Sequence, residues 1–171
     1  VWATGGTPEG DPARRPSPVT ARRDWPGGRP DLILRMSAAY TVAAGRLEDT
    51  REFTLTTGLT GPRYIRSADL LPGTPSMVRD ATIAIENGPV VAAWVPGDSA
   101  ASLPGAPAGT AFRLDPGARL LLRVHYKKSW RDERMARSDR TSVGLYFTDA
   151  PAPGRTIRDL SIEAAGGTVT E

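Results

Sequence analysis

A chain of 171 residues, 39% of them hydrophobic and 24% charged, has the length and composition of one globular domain with room for an extended tail. It contains no cysteine, which excludes a disulfide framework, thiolate-held zinc, an iron–sulfur cluster and c-type haem attachment within the chain. Basic residues outnumber acidic ones by only 22 to 19 and are interleaved with them, as in Arg131-Asp132-Glu133-Arg134, so no basic stripe suited to nucleic acid is expected.

Residues 1–31 are dense in Gly, Pro, Arg and Asp. Pro8, Pro12, Pro16, Pro18, Pro26 and Pro30 recur too often for a helix or a central strand. The stretch reads as an extended arm with two aromatic anchors, Trp2 and Trp25. If ordered, each indole must be buried on this domain or on a neighbour, which makes both partner-binding candidates.

From Asp31 onward the pattern changes to short apolar segments. Expected strands are 32–36, 51–57, 63–69, 77–86, 90–95, 110–114, 119–127, 141–148 and 156–163. Between them stand turn residues such as Gly61-Pro62, Asn87-Gly88-Pro89, Pro104-Gly105 and Pro116-Gly117. No segment keeps a helical apolar period over 11 or more residues. The best short helix candidate is the polar stretch 129–137. The fold class is therefore all-β, a sandwich or barrel over residues 32–171 behind a Pro/Gly-rich arm over 1–31. No apolar run approaches the roughly 18 residues of a membrane span. The first residue is Val1, not Met; removal of a leader or anchor would leave such a start, and so would simple shortening of the chain.

The strand 119–127 places Leu120, Leu122, Val124 and Tyr126 on one face and Leu121, Arg123 and His125 on the other. The first face reads as core, together with Val143, Leu145 and Phe147. His125 is the only histidine, and its face puts it at the edge of a cleft or between two packed sheets. No nucleophile elbow, phosphate loop, dinucleotide fingerprint or calcium loop accompanies it. Met36, Met77 and Met135 read as packing residues.

Several pieces occur in a characteristic order: Val91-Ala92-Ala93-Trp94-Val95-Pro96-Gly97, Leu103-Pro104, Gly109, Leu114 to Gly117, Leu120 to Tyr126 with its Val124-His125-Tyr126, Asp139, and Gly144-Leu145-Tyr146-Phe147. In this order they resemble the first domain of the copper type II, ascorbate-dependent monooxygenases, the family of peptidylglycine and dopamine hydroxylating enzymes and their bacterial relatives. The resemblance implies an antiparallel jelly-roll-like β-sandwich. In the family a His-His pair and the histidine of the Val-His-Tyr strand hold copper in this domain, and a second domain holds a second copper. His125 matches the strand histidine. Arg79 and Asp80 stand where the His-His pair is expected, after Pro72-Gly73, and the chain ends near where a second domain would begin.

Copper needs several imidazoles or softer ligands, and a guanidinium beside the site repels a cation. The expectation is a vestigial position without metal, cofactor or catalytic residues, in which Asp80 or a backbone carbonyl bonds His125 while Arg79 turns outward to solvent or a partner. Alternation along the strand places Arg79 and Asp80 on opposite faces. A second resemblance runs through Trp2-Ala3, Gly5-Gly6, Pro8-Glu9-Gly10-Asp11, Asp24-Trp25 and Pro30-Asp31-Leu32, which look like the connector joining a c-type cytochrome domain to this monooxygenase-like domain.

Together the resemblances imply a non-catalytic structural subunit. Its partners would be other protein subunits of an extracytoplasmic, periplasmic electron-transfer assembly embedded in a membrane, respiratory or photosynthetic. It would have no membrane span of its own. Arg79 joins Trp2 and Trp25 as a partner-binding candidate. Two alternatives stand beside this: a residual copper protein borrowing ligands from another chain, and a small-ligand or carbohydrate-binding sandwich using the cleft near His125 and Trp94.

Overall fold

A computed structural model describes residues 11, 24, 25, 27–97, 109–151, 156 and 157. These form eleven strands: β1 Leu32–Arg35, β2 Tyr40–Val42, β3 Glu48–Thr56, β4 Arg63–Leu71, β5 Val78–Ile85, β6 Val90–Trp94, β7 Ala111–Leu114, β8 Arg119–Lys127, β9 Arg137–Asp139, β10 Ser142–Thr148 and β11 Thr156–Ile157. The described residues contain no α-helix. One sheet runs β1-β10-β4-β7-β11, a second runs β3-β8-β5-β6, and β2 and β9 form a two-stranded ribbon. Every pairing is antiparallel except the short one between β11 and β7.

The inner faces of the two larger sheets share one core. Leu34, Ile65, Leu70, Val143 and Leu145 come from the first sheet, and Leu55, Ile83, Leu120, Leu122 and Val124 from the second. In β8 the expected alternation holds along the whole strand, with Leu120, Leu122, Val124 and Tyr126 fully buried. Phe147 departs from expectation. A bulge between Tyr146 and Phe147 shifts the register of β10 against β4, so Tyr146 is buried and Phe147 is only half-buried. The turn of the β5–β6 hairpin and the turn that carries the chain from β7 in the first sheet to β8 in the second follow from their residues. Asn87 takes a positive φ of 57° in the Asn-Gly turn between β5 and β6, and Gly117 takes 71° after Pro116 between β7 and β8.

Two elements differ from the sequence reading. The stretch 129–137 forms one 3-10 turn, Trp130–Asp132, and then enters β9. The ribbon strands β2 and β9 were not expected at all; each has three residues and no apolar alternation for a periodicity argument to use. Of the expected strand 156–163, Thr156–Ile157 are seen, and the rest lies outside the described residues.

The described part of the arm lies on the sandwich itself. A Cβ placed on Gly144 of β10 would stand 2.5 Å from Pro30 and 2.8 Å from the Trp25 ring, so the indole edge rests on bare backbone. Tyr146 donates its hydroxyl to the Gly28 carbonyl at 2.9 Å, Asp31 N–H donates to the Leu145 carbonyl at 3.0 Å, and Phe147 N–H donates to the Asp31 carboxylate at 2.7 Å. Trp25 is half-buried against its own domain, so its inner edge serves this fold. Trp2 lies outside the described residues.

Candidate functional site

The second sheet turns one face to the core and the other outward, and His125 stands on the outward face. Pairing register brings its neighbours together: Thr50 of β3 and Asp80 of β5 lie opposite His125, and Glu48 lies opposite Lys127. The result is a shallow groove of about 290 Å³ lined by Thr50, Asp80, Thr82, Arg123 and His125. It opens to solvent instead of lying between the sheets.

Within it His125 Nδ1 lies 2.8 Å from Asp80 Oδ2, and Nε2 lies 2.7 Å from Glu48 Oε1. A neutral imidazole has one N–H, so satisfying two carboxylates requires the doubly protonated ring. The hydrogen bond to Asp80 raises the imidazole pKa above its ordinary 6.5. Partial burial opposes that rise, and the Glu48 bond adds to it. Glu48 is held below its ordinary 4.5 by its bonds to His125 and to Lys127, whose Nζ is 3.3 Å away.

The pairing of Asp80 with His125 matches the sequence expectation; the placement of Arg79 does so for another reason. A bulge shifts the β5–β8 register between Val78 and Asp80, so Val78 opposes Tyr126 and Asp80 opposes His125, with Arg79 as the extra residue. Arg79 and Asp80 therefore do not occupy opposite faces as simple alternation requires. Arg79 is exposed, Asp80 half-buried, and Val78 and Ala81 on either side of them are buried. The bulge also returns Ile83 to the core.

These residues do not fit the copper centre that the resemblance implies. His125 is the only imidazole, and both its nitrogens hold hydrogen bonds to carboxylates, leaving no lone pair for a metal. Met36 and Met77 are buried in the core. Among the described residues no group of three or more His, Cys, Asp or Glu side chains is placed to hold a metal ion. Among the described residues Trp94 does not share the outward face of this groove: it pairs with Ala81 on the inner face and is buried in the core. The groove thus lacks an aromatic wall of the kind a sugar ring stacks on.

Three features gain their role only from the structure. Glu48 sits in the polar start of β3, Glu48-Asp49-Thr50-Arg51, and only strand register reveals its partner. Asp139, buried at the end of β9, accepts from Thr74 N–H at 2.7 Å, Thr141 Oγ1 at 2.6 Å and Tyr126 Oη at 3.3 Å. Burial and the Asp139 charge push the Tyr126 hydroxyl pKa upward. Lys128, also buried, donates to the carbonyls of Ala43 at 2.8 Å, Met135 at 2.7 Å and Glu133 at 3.4 Å, pinning the loop between β8 and β9.

No helix among the described residues is long and apolar enough to cross a membrane. Compared with known proteins, the chain matches no family model, no curated protein and no solved structure.

Proposed function

We propose that this chain is a non-catalytic interaction subunit, a metal-free relative of the first domain of the copper type II monooxygenases. The observation that carries the reading is His125 clamped between Asp80 and Glu48. Where a copper ligand must present a lone pair, this imidazole presents two N–H groups to carboxylates. The position that would supply neighbouring imidazoles holds an exposed Arg79 and an Asp80 committed to His125. The two-sheet, mainly antiparallel architecture supports the fold half of the proposal, which adds that the strands are connected as a jelly roll. The partners are other protein subunits, in a periplasmic electron-transfer assembly of respiratory or photosynthetic type; that part rests on the connector-like sequence alone.

Isolation from the native source under mild detergent tests the subunit reading, with recovery in a stoichiometric complex as the expected result. Calorimetric titration of the purified protein with Cu(II), and an oxygen electrode with ascorbate, test the non-catalytic half. We expect no tight one-to-one binding and no ascorbate-driven oxygen uptake. Either of these would overturn the metal-free reading, and recovery as a free monomer would overturn the subunit reading.

A further inference from the structure

Four large hydrophobic side chains are exposed among the described residues, and two of them, Trp130 at 79% and Met135 at 47%, share the loop between β8 and β9. An indole left almost wholly in water has a thermodynamic reason to find another surface. This loop is not slack. Lys128 grips it through the Glu133 and Met135 carbonyls, Gly45 N–H donates to the Glu133 carbonyl at 2.7 Å, and Asp132 bonds both Ser129 and Arg137. The tip is therefore displayed in a fixed shape, and little ordering entropy is lost on docking.

Charge on the tip selects the partner. Of its two acids, Asp132 is neutralised by Arg137 at 2.6 Å and Glu133 is half-buried. Arg131 and Arg134 are exposed and have no ion-pair partner among the described residues. An indole and a thioether flanked by two open guanidiniums match the boundary of an anionic bilayer, where Trp sits at headgroup depth and basic residues meet lipid phosphates. A protein partner is the weaker fit. A stable interface buries about 800 Å² on each side, whereas one indole offers at most about 250 Å².

We propose that residues 129–136 form an interfacial anchor that seats this end of the sandwich on an anionic lipid surface. The inference is independent of how the His125 groove is read. The test is co-sedimentation of the full chain with vesicles of phosphatidylcholine alone or of equimolar phosphatidylcholine and phosphatidylglycerol, at low and at half-molar salt. Binding is expected to the anionic vesicles, and to weaken in salt. Trp130→Ala should lower the partition coefficient about tenfold, and Arg131→Gln with Arg134→Gln should lower it by roughly 25-fold and remove the lipid preference. Brominated lipid should quench fluorescence of the parent protein but not that component in Trp130→Ala. All three side chains are exposed, so unchanged circular dichroism and urea midpoints verify the fold of the variants. Absence of vesicle binding, or binding indifferent to these substitutions, would overturn the proposal. So would Trp130-dependent binding to soluble polyglutamate without binding to vesicles, which would make the tip a docking point for an acidic protein.

Discussion

His125 carries its charge because two carboxylates share its ring hydrogens, and that charge ties local stability to pH. Its folded pKa is raised above 6.5, first by Asp80 and then by Glu48. The stabilisation is therefore fully present below pH 6.5 and lost as pH rises through the folded pKa. At the acid end the sign reverses. Glu48 is depressed below 4.5, so its contribution is present above that value and lost as pH falls through its lower folded pKa. The stability difference between the parent protein and His125→Gln should then be widest between 4.5 and 6.5 and shrink on either side. Because there is one histidine, ring resonances in an NMR titration belong to it without ambiguity. The midpoint is expected above 6.5 and should drop further in Asp80→Asn than in Glu48→Gln, since the Asp80 bond is the larger cause. A midpoint at or below 6.5 in the parent protein would mean that the clamp does not form.

At the scale of elements, Asp139 joins pieces distant in sequence: the turn after β4 through Thr74, strand β8 through Tyr126, and the start of β10 through Thr141. Alanine there leaves three donors without an acceptor in a buried corner. At 1–3 kcal/mol for each donor so stranded, with partial relief by water, Asp139→Ala should cost about 3–5 kcal/mol in urea unfolding. Asp139→Asn retains one acceptor oxygen and should cost less; a loss within about 0.5 kcal/mol for alanine, the size of an ordinary surface change, would show that the corner is not held this way. Asp139 was noticed in the sequence only as one piece of a resemblance, since a buried acid in Arg-Ser-Asp looks like any surface acid. Strand β8 was legible because four apolar or aromatic positions, Leu120, Leu122, Val124 and Tyr126, recur at every second residue on one face over nine residues, with only Leu121 apolar on the other. Strands β2 and β9 were not, because pairing alone makes them strands. The Arg79 bulge was hidden for a related reason: alternation gives two faces, but an inserted residue is visible only when the partner strand is in place. The Asp80–His125 contact could be expected from the resemblance, whereas Glu48 required the register of β3.

On the scale of the whole molecule, the two sheets do not have separate interiors. Leu145 from β10 and Leu122 from β8 are both fully buried in one cluster that also takes in Val42 of the ribbon, and the described arm residues are bonded to β10 from outside. A single shared core means that neither sheet can lose its partner and keep its apolar face dry, so unfolding should be one cooperative step. Two tryptophans are placed to report on this, Trp25 over Gly144 on the outside of the first sheet and Trp94 in the core beside the second. Variants retaining either indole alone should give coincident urea transitions by fluorescence, matching circular dichroism. Leu122→Ala and Leu145→Ala should each lower the stability read by both indoles by about 2–5 kcal/mol, the range for truncating a buried leucine. If Leu145→Ala shifted only the Trp25 transition and left Trp94 unchanged, the sheets would be separate units. The arm would then be a local attachment to the first sheet, without a share in the stability of the domain.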